Sequence, residues 1–116
     1  MRHTPVLLQE VLHYLDPQPN EDAIDATVNG GGHAEAILER IAPRGRLLGI
    51  DRDPSILAST KEHLKKFGDR MIVARGNFAN IAILAKESGV LHPSLILFDL
   101  GMSSYHLASD RGFSFQ

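Results

Sequence analysis

The chain has 116 residues, 43% hydrophobic and 22% charged, the balance of one globular domain rather than a disordered segment. No apolar run approaches the roughly 20 residues needed to span a bilayer, and residues 1–10 lack the basic-then-apolar layout of a signal peptide, so a cytoplasmic protein is expected. The absence of cysteine excludes disulfides, thiolate nucleophiles and cysteine-ligated zinc, and a formal net charge of -2 with a pI near 6.3 provides no overall positive field for a polyanion.

Thr4 followed by Pro5 reads as a helix start, because threonine caps free amides and proline at the first helical position forfeits no hydrogen bond. The helix runs to about Leu15, with Leu7, Leu8, Val11, Leu12 and Leu15 at three- and four-residue spacing, and Asp16-Pro17-Gln18-Pro19-Asn20 stops it. That stripe is expected to pack on a sheet. Ala23 to Val28, short, partly β-branched and running into glycines, reads as a first buried strand. Beyond Asn29-Gly30-Gly31-Gly32, His33 to Ile41 reads as a helix and Arg46 to Ile50 as a second strand.

Asp53 and Pro54 open another helix, with Ile56, Leu57, Leu64 and Phe67 inward and Gly68 as its stop. Lys61, Lys65 and Lys66 fall on this helix and read as a solvated face. Met71 to Ala74 is the third strand. A helix from about Ala79 to Lys86 ends near Gly89, and Ser94 to Asp99 is apolar enough for a fourth strand covered on both faces. The order β-α-β-α-β-α-β predicts an α/β fold with a doubly wound parallel sheet and right-handed crossovers, of which about the first four strands are present. Nothing after Asp99 reads as a helix or strand able to cover the fourth strand's free edge, so the chain reads as a fragment or truncated product.

The glycines between the first strand and its helix let the backbone approach a ligand, and the helix start offers unpaired amides and partial positive charge. A tight turn alone would account equally well for an isolated glycine run. Asp51, twenty residues after Gly31, stands at the end of the second strand, where a carboxylate accepts from both ribose hydroxyls of an adenosine cofactor. Asp53 is assigned to capping the next helix, and Asp25 to holding the glycine loop. Phe78 follows the third strand at Gly76-Asn77 and Asp99 ends the fourth, so four strand ends converge on one crevice. An aromatic face there can sandwich adenine. Phe78 by itself would read as a core residue; the convergence is what recommends it. His33 is worth proposing as a cofactor contact only because the glycines precede it, and no histidine spacing points to a metal site.

The motifs are His3-Thr4-Pro5-Val6-Leu7-Leu8, Asp25-Ala26-Thr27 running into Gly30-Gly31-Gly32-His33, Ile50-Asp51-Arg52-Asp53-Pro54, Gly76-Asn77-Phe78, Asp99-Leu100-Gly101-Met102-Ser103-Ser104 and Arg111-Gly112-Phe113-Ser114-Phe115. Together they span the chain and closely resemble the bacterial ribosomal RNA small subunit methyltransferase H family. The resemblance implies a Rossmann-like fold that uses S-adenosyl-L-methionine to methylate the exocyclic N4 of a decoding-centre cytidine in 16S rRNA of the small ribosomal subunit. It implies cofactor contacts at Gly31, Gly32, His33, Asp51, Phe78, Asp99 and His106, the last where the family commonly has glutamine. Members of the family are much longer; they complete the sheet and insert a helical region for holding RNA, so residues 1–116 correspond to the N-terminal, cofactor-binding part. Asn29 stands where the family usually has glycine, an exchange that asparagine's tolerance of left-handed backbone angles makes mild.

The catalytic residue is left open. A cytosine amino group has its lone pair delocalised into the ring, so an acceptor beside it would help, and Asp99, Ser103 and Ser104 are the candidates. Two rivals remain at this point. A nicotinamide-dependent oxidoreductase would use the same strand, loop, helix and acidic strand end, and an inactive cofactor-binding fragment would carry the same motifs without turnover.

Overall fold

A computed structural model describes residues 5–26, 28, 32–99, 105–108 and 114–115. Thr4, Asn29 to Gly31, the segment 100–104 with Ser103 and Ser104, and Arg111 to Phe113 lie outside the described residues. The helices are α1 (Pro5–Leu15), α2 (Gly32–Arg40), α3 (Pro54–His63) and α4 (Ile81–Ser88). The strands are β1 (Ala23–Asp25), β2 (Leu47–Asp51), β3 (Met71–Arg75), β4 (Leu95–Asp99) and β5 (Tyr105–Ala108). The sheet runs in the order β3-β2-β1-β4-β5, with β1 to β4 parallel and β5 antiparallel to β4. Among the described residues no helix is long and apolar enough to cross a membrane.

Both faces of the sheet are covered, which is why its strands are apolar without alternation. Ala23, Leu47, Met71, Leu95 and Leu97 face one core, completed by Val11, Leu12 and Leu15 of α1, Ala34, Ile37 and Leu38 of α2, and Leu57 of α3. Ile24, Leu48, Ile50 and Ile96 face the other, completed by Ala85 of α4, Val90 and Phe115. The chain winds outward from β1 to β3 by way of α2 and α3 on the first face. It then returns along α4 on the second face, so that β4 lands beside β1. The carboxyl ends of β1 and β4 therefore flank a point where the winding reverses, the place where open α/β sheets bind ligands.

Three expectations need correction. The free edge of β4 is covered: β5 pairs with it over Ile96↔Ala108 to Asp99↔Tyr105. Of Tyr105-His106-Leu107-Ala108 only Tyr105 is a strong strand former, and the four become a strand through that pairing. The helix after Pro54 stops at His63, capped by Leu64, and a 3-10 segment Lys65–Arg70 follows in which Gly68 takes φ 60. At the end of that segment the Arg70 guanidinium donates to the carbonyls of Leu38 and Gly45, which ties it to α2 and the loop before β2. The helix expected from Ala79 opens instead as a 3-10 turn, Phe78–Asn80, before α4.

Candidate functional site at the carboxyl edge of the sheet

Parallel pairing on both sides carries β2 straight to its carboxyl end and delivers Asp51 there, half-buried. Its Oδ1 accepts the Asp53 N–H at 2.9 Å, a two-residue turn that fixes the carboxylate as the chain leaves the sheet. Asp53 caps α3: its Oδ1 accepts the Ser55 hydroxyl at 2.8 Å and the Ser55 amide at 2.9 Å. Those bonds, the hydroxyl's first, together with the charge of Arg75, hold the Asp53 carboxyl below its ordinary value of 3.8. The two carboxylates of Asp51-Arg52-Asp53 thus do different work. Asp53 serves the helix and Asp51 stays at the strand end.

The Asp51 carbonyl accepts the Gly76 N–H at 3.0 Å and so ties the chain leaving β3 to the end of β2. A Cβ on Gly76 would lie 2.6 Å from Leu84 Cδ1, so a side chain here would displace the Leu84 side chain that packs beside the turn. Asn77 Oδ1 accepts the Ala79 N–H at 2.9 Å while Asn80 Oδ1 accepts the Asn77 N–H at 3.3 Å, a reciprocal cap that locks the 3-10 turn. Phe78 heads that turn and is 49% exposed, an aromatic ring kept half in solvent beside the strand ends.

Register places the remaining positions. Asp25, itself buried, stands opposite Gly49 on one side and Leu97 on the other, so two residues further on Asp51 and Asp99 are level across the continuation of β1. Two strand spacings separate them by about 10 Å, comparable with a nucleoside. The Ala26 N–H donates to Leu97 at 2.8 Å and the Val28 N–H to Ile50 at 3.0 Å, which clamps the chain leaving β1 between its neighbours. Gly32 opens α2 with nothing within 4 Å of where a Cβ would stand, and half-buried His33 follows it. His106 lies on β5 opposite Phe98, next to the pair Asp99↔Tyr105. Gly32, His33, Asp51 and Phe78, with the backbone positions of Asp99 and His106, thus gather at one edge, whereas Gly31 lies outside the described residues. Two contributors are not legible from the motifs: Asn80, which completes the cap under Phe78, and Gly49, whose only advance signal is a glycine inside an apolar strand.

Residues 1–116 match the MraW methylase family. The chain belongs to that family. Ribosomal RNA small subunit methyltransferase H of Trichlorobacter lovleyi is 46% identical over 115 residues, covering 98% of this chain and 37% of that protein. The chain therefore spans little more than a third of the length of the curated relatives it matches. Among solved structures, a candidate rRNA methylase from Clostridium thermocellum superimposes with a TM-score of 0.69 at 18% identity, covering 98% of this chain and 59% of that one. Aeropyrum pernix fibrillarin, solved with natively bound S-adenosyl-L-methionine, gives 0.58 at 14% identity, covering 73% and 36%. At such identities the likeness is one of fold, and the fold is the Rossmann-like architecture of S-adenosylmethionine-dependent methyltransferases. For a member of this family, the edge holding Asp51 and Phe78 is the candidate cofactor site.

Proposed function

We propose that residues 1–116 form the cofactor-binding part of a methyltransferase that uses S-adenosyl-L-methionine to methylate N4 of a decoding-centre cytidine in 16S rRNA of the small ribosomal subunit, in the cytoplasm. The observation that carries this reading is the half-buried Asp51 carboxylate, held at 2.9 Å by the Asp53 N–H beside the winding reversal of a MraW-family chain. A carboxylate in that place suits the ribose diol of an adenosine cofactor. The 49% exposed ring of Phe78 suits adenine, and the side-chain-free start of α2 at Gly32 suits close approach by the cofactor's amino-acid end. Gly31 and His33 are assigned to the same end, and Asp99 and His106 are assigned as further cofactor contacts.

When bound, the cofactor supplies a methyl group already activated on a sulfonium. The work left to the chain is to align the amine, keep water out and accept a hydrogen bond from the amine as its proton is lost. Asp99, Ser103 and Ser104 are the candidates for that acceptor. The target base has to leave its stack to reach the edge. A nicotinamide-dependent oxidoreductase would use the same edge, and membership of a methylase family argues against it.

The test has two parts. Calorimetric titration with S-adenosyl-L-methionine should show binding that Asp51→Ala weakens by about tenfold or more, the loss of one charged hydrogen-bond acceptor. Small subunits lacking the methyl group should then take up label from the cofactor at a cytidine. An unmutated chain that does not bind overturns the cofactor reading. Binding without label overturns the substrate reading alone and leaves an inactive cofactor-binding chain.

A further inference from the structure

We propose that Gly49 is a positioning residue of the cofactor site: lacking a side chain, it lets Val28 settle onto β2 and keep its bond to the Ile50 carbonyl, immediately before Asp51. The inference rests on the cofactor reading above. Gly49 is the bare position in a strand whose other apolar members, Leu47, Leu48 and Ile50, are large and buried. A glycine there forfeits packing and ordering entropy, and its usual compensation is the close approach of another piece of chain.

The approaching chain is identifiable. A Cβ on Gly49 would stand 2.9 Å from Val28 Cγ2, 3.1 Å from Val28 Cβ and 2.9 Å from Met71 Cε. The methionine contact is easily relieved, because Cε is the far end of a flexible side chain. The valine contacts are not. A β-branched side chain is stiff at χ1 and its Cβ is bonded to the main chain, so relief there requires the backbone to move. That backbone is held: Val28 is 4% exposed and its N–H donates to the Ile50 carbonyl at 3.0 Å. Four residues on, α2 begins at Gly32 and is anchored through Ala34, Ile37 and Leu38, none more than 1% exposed. A lift at Val28 therefore strains its bond to the Ile50 carbonyl, one residue before Asp51. Gly49 also lies two residues before Asp51 on the same strand, directly beneath the ribose-binding position.

The experiment titrates S-adenosyl-L-methionine calorimetrically into the unmutated chain, Gly49→Ala, Gly49→Ala/Val28→Ala and Gly49→Ala/Met71→Ala, and records a thermal melt of each. Gly49→Ala is expected to weaken binding by about tenfold or more, as displaced binding groups do. Adding Val28→Ala should restore affinity to within about threefold of the unmutated chain, whereas adding Met71→Ala should not, because only directly touching residues couple strongly. Unchanged affinity in Gly49→Ala overturns the inference, and so does equal recovery in the two double variants. If the melt shows Gly49→Ala unfolded, the Val28 double variant decides, since it removes the obstruction: recovered binding supports the inference and weak binding refutes it. An unmutated chain that fails to bind refutes the cofactor reading and this inference together, while failure confined to the variants' pattern refutes this inference alone.

Discussion

Truncating Phe78 to alanine separates cofactor binding from folding at the carboxyl edge. The ring is 49% exposed, so the free protein buries only about half of it. Of the roughly 200 Å² that a phenylalanine can bury, about 100 Å² is then lost from the fold, which at about 25 cal/mol per Å² is an upper limit of about 2.5 kcal/mol. Against a typical total of about 5–15 kcal/mol the variant stays folded, and the Asn77–Asn80 cap that shapes the turn keeps all its atoms. In the complex the loss is of another kind: stacking of a base on an aromatic ring contributes about 1–3 kcal/mol, so Kd for S-adenosyl-L-methionine should rise by about 5- to 150-fold. Calorimetric titration of the unmutated chain, Phe78→Ala and Phe78→Tyr, paired with urea midpoints, measures both effects, and tyrosine should keep the affinity. If Phe78→Ala loses stability yet binds within about twofold of the unmutated chain, the ring is a packing residue and the assignment of the adenine site is wrong.

Two further outcomes follow from side chains that serve the fold. Thr60 is fully buried on α3 and its Oγ1 has no hydrogen-bond partner among the described residues. Thr60→Val keeps the shape and removes the hydroxyl, so it should stabilise by about 1 kcal/mol and raise Tm by about 4 °C; an unchanged or lower Tm would mean that the hydroxyl is satisfied. Asp53 has a depressed folded-state pKa, so its contribution to stability is present above its ordinary 3.8 and is lost as pH falls through the lower folded value. Urea midpoints of the unmutated chain and Asp53→Asn should differ at neutral pH and converge in that acid window, and a gap constant down to the acid limb would contradict the assignment.

Much of the fold is legible along the chain. The Val11, Leu12 and Leu15 spacing forecasts which side of α1 is buried, the apolar run at Leu95 forecasts a strand covered on both faces, and Asp53-Pro54 forecasts the start of α3. These are local matters, decided by periodicity, capping chemistry and the fixed φ of proline. Asp51 as the carboxylate at a strand end is legible for the same reason, since its position follows from where β2 stops. Less legible is where α3 ends. Asp53 is recognisable as a cap, but α3 stops at His63, and the 3-10 segment after it ends on Arg70, which reaches carbonyls 25 and 32 residues away.

The sequence by itself determined the alternation of strands and helices, the places where glycine and proline break them, and the residue types at each strand end, because each depends on neighbours within a few positions. Only the tertiary structure decided that Tyr105–Ala108 is a strand, that Asp51 and Asp99 stand level across β1, and that Gly49 is bare so that Val28 can approach. Those outcomes belong to register and packing, where partners distant along the chain meet. A weak strand former takes its state from the hydrogen-bonding edge beside it, and a glycine takes its meaning from whatever fills the space where its side chain would have been.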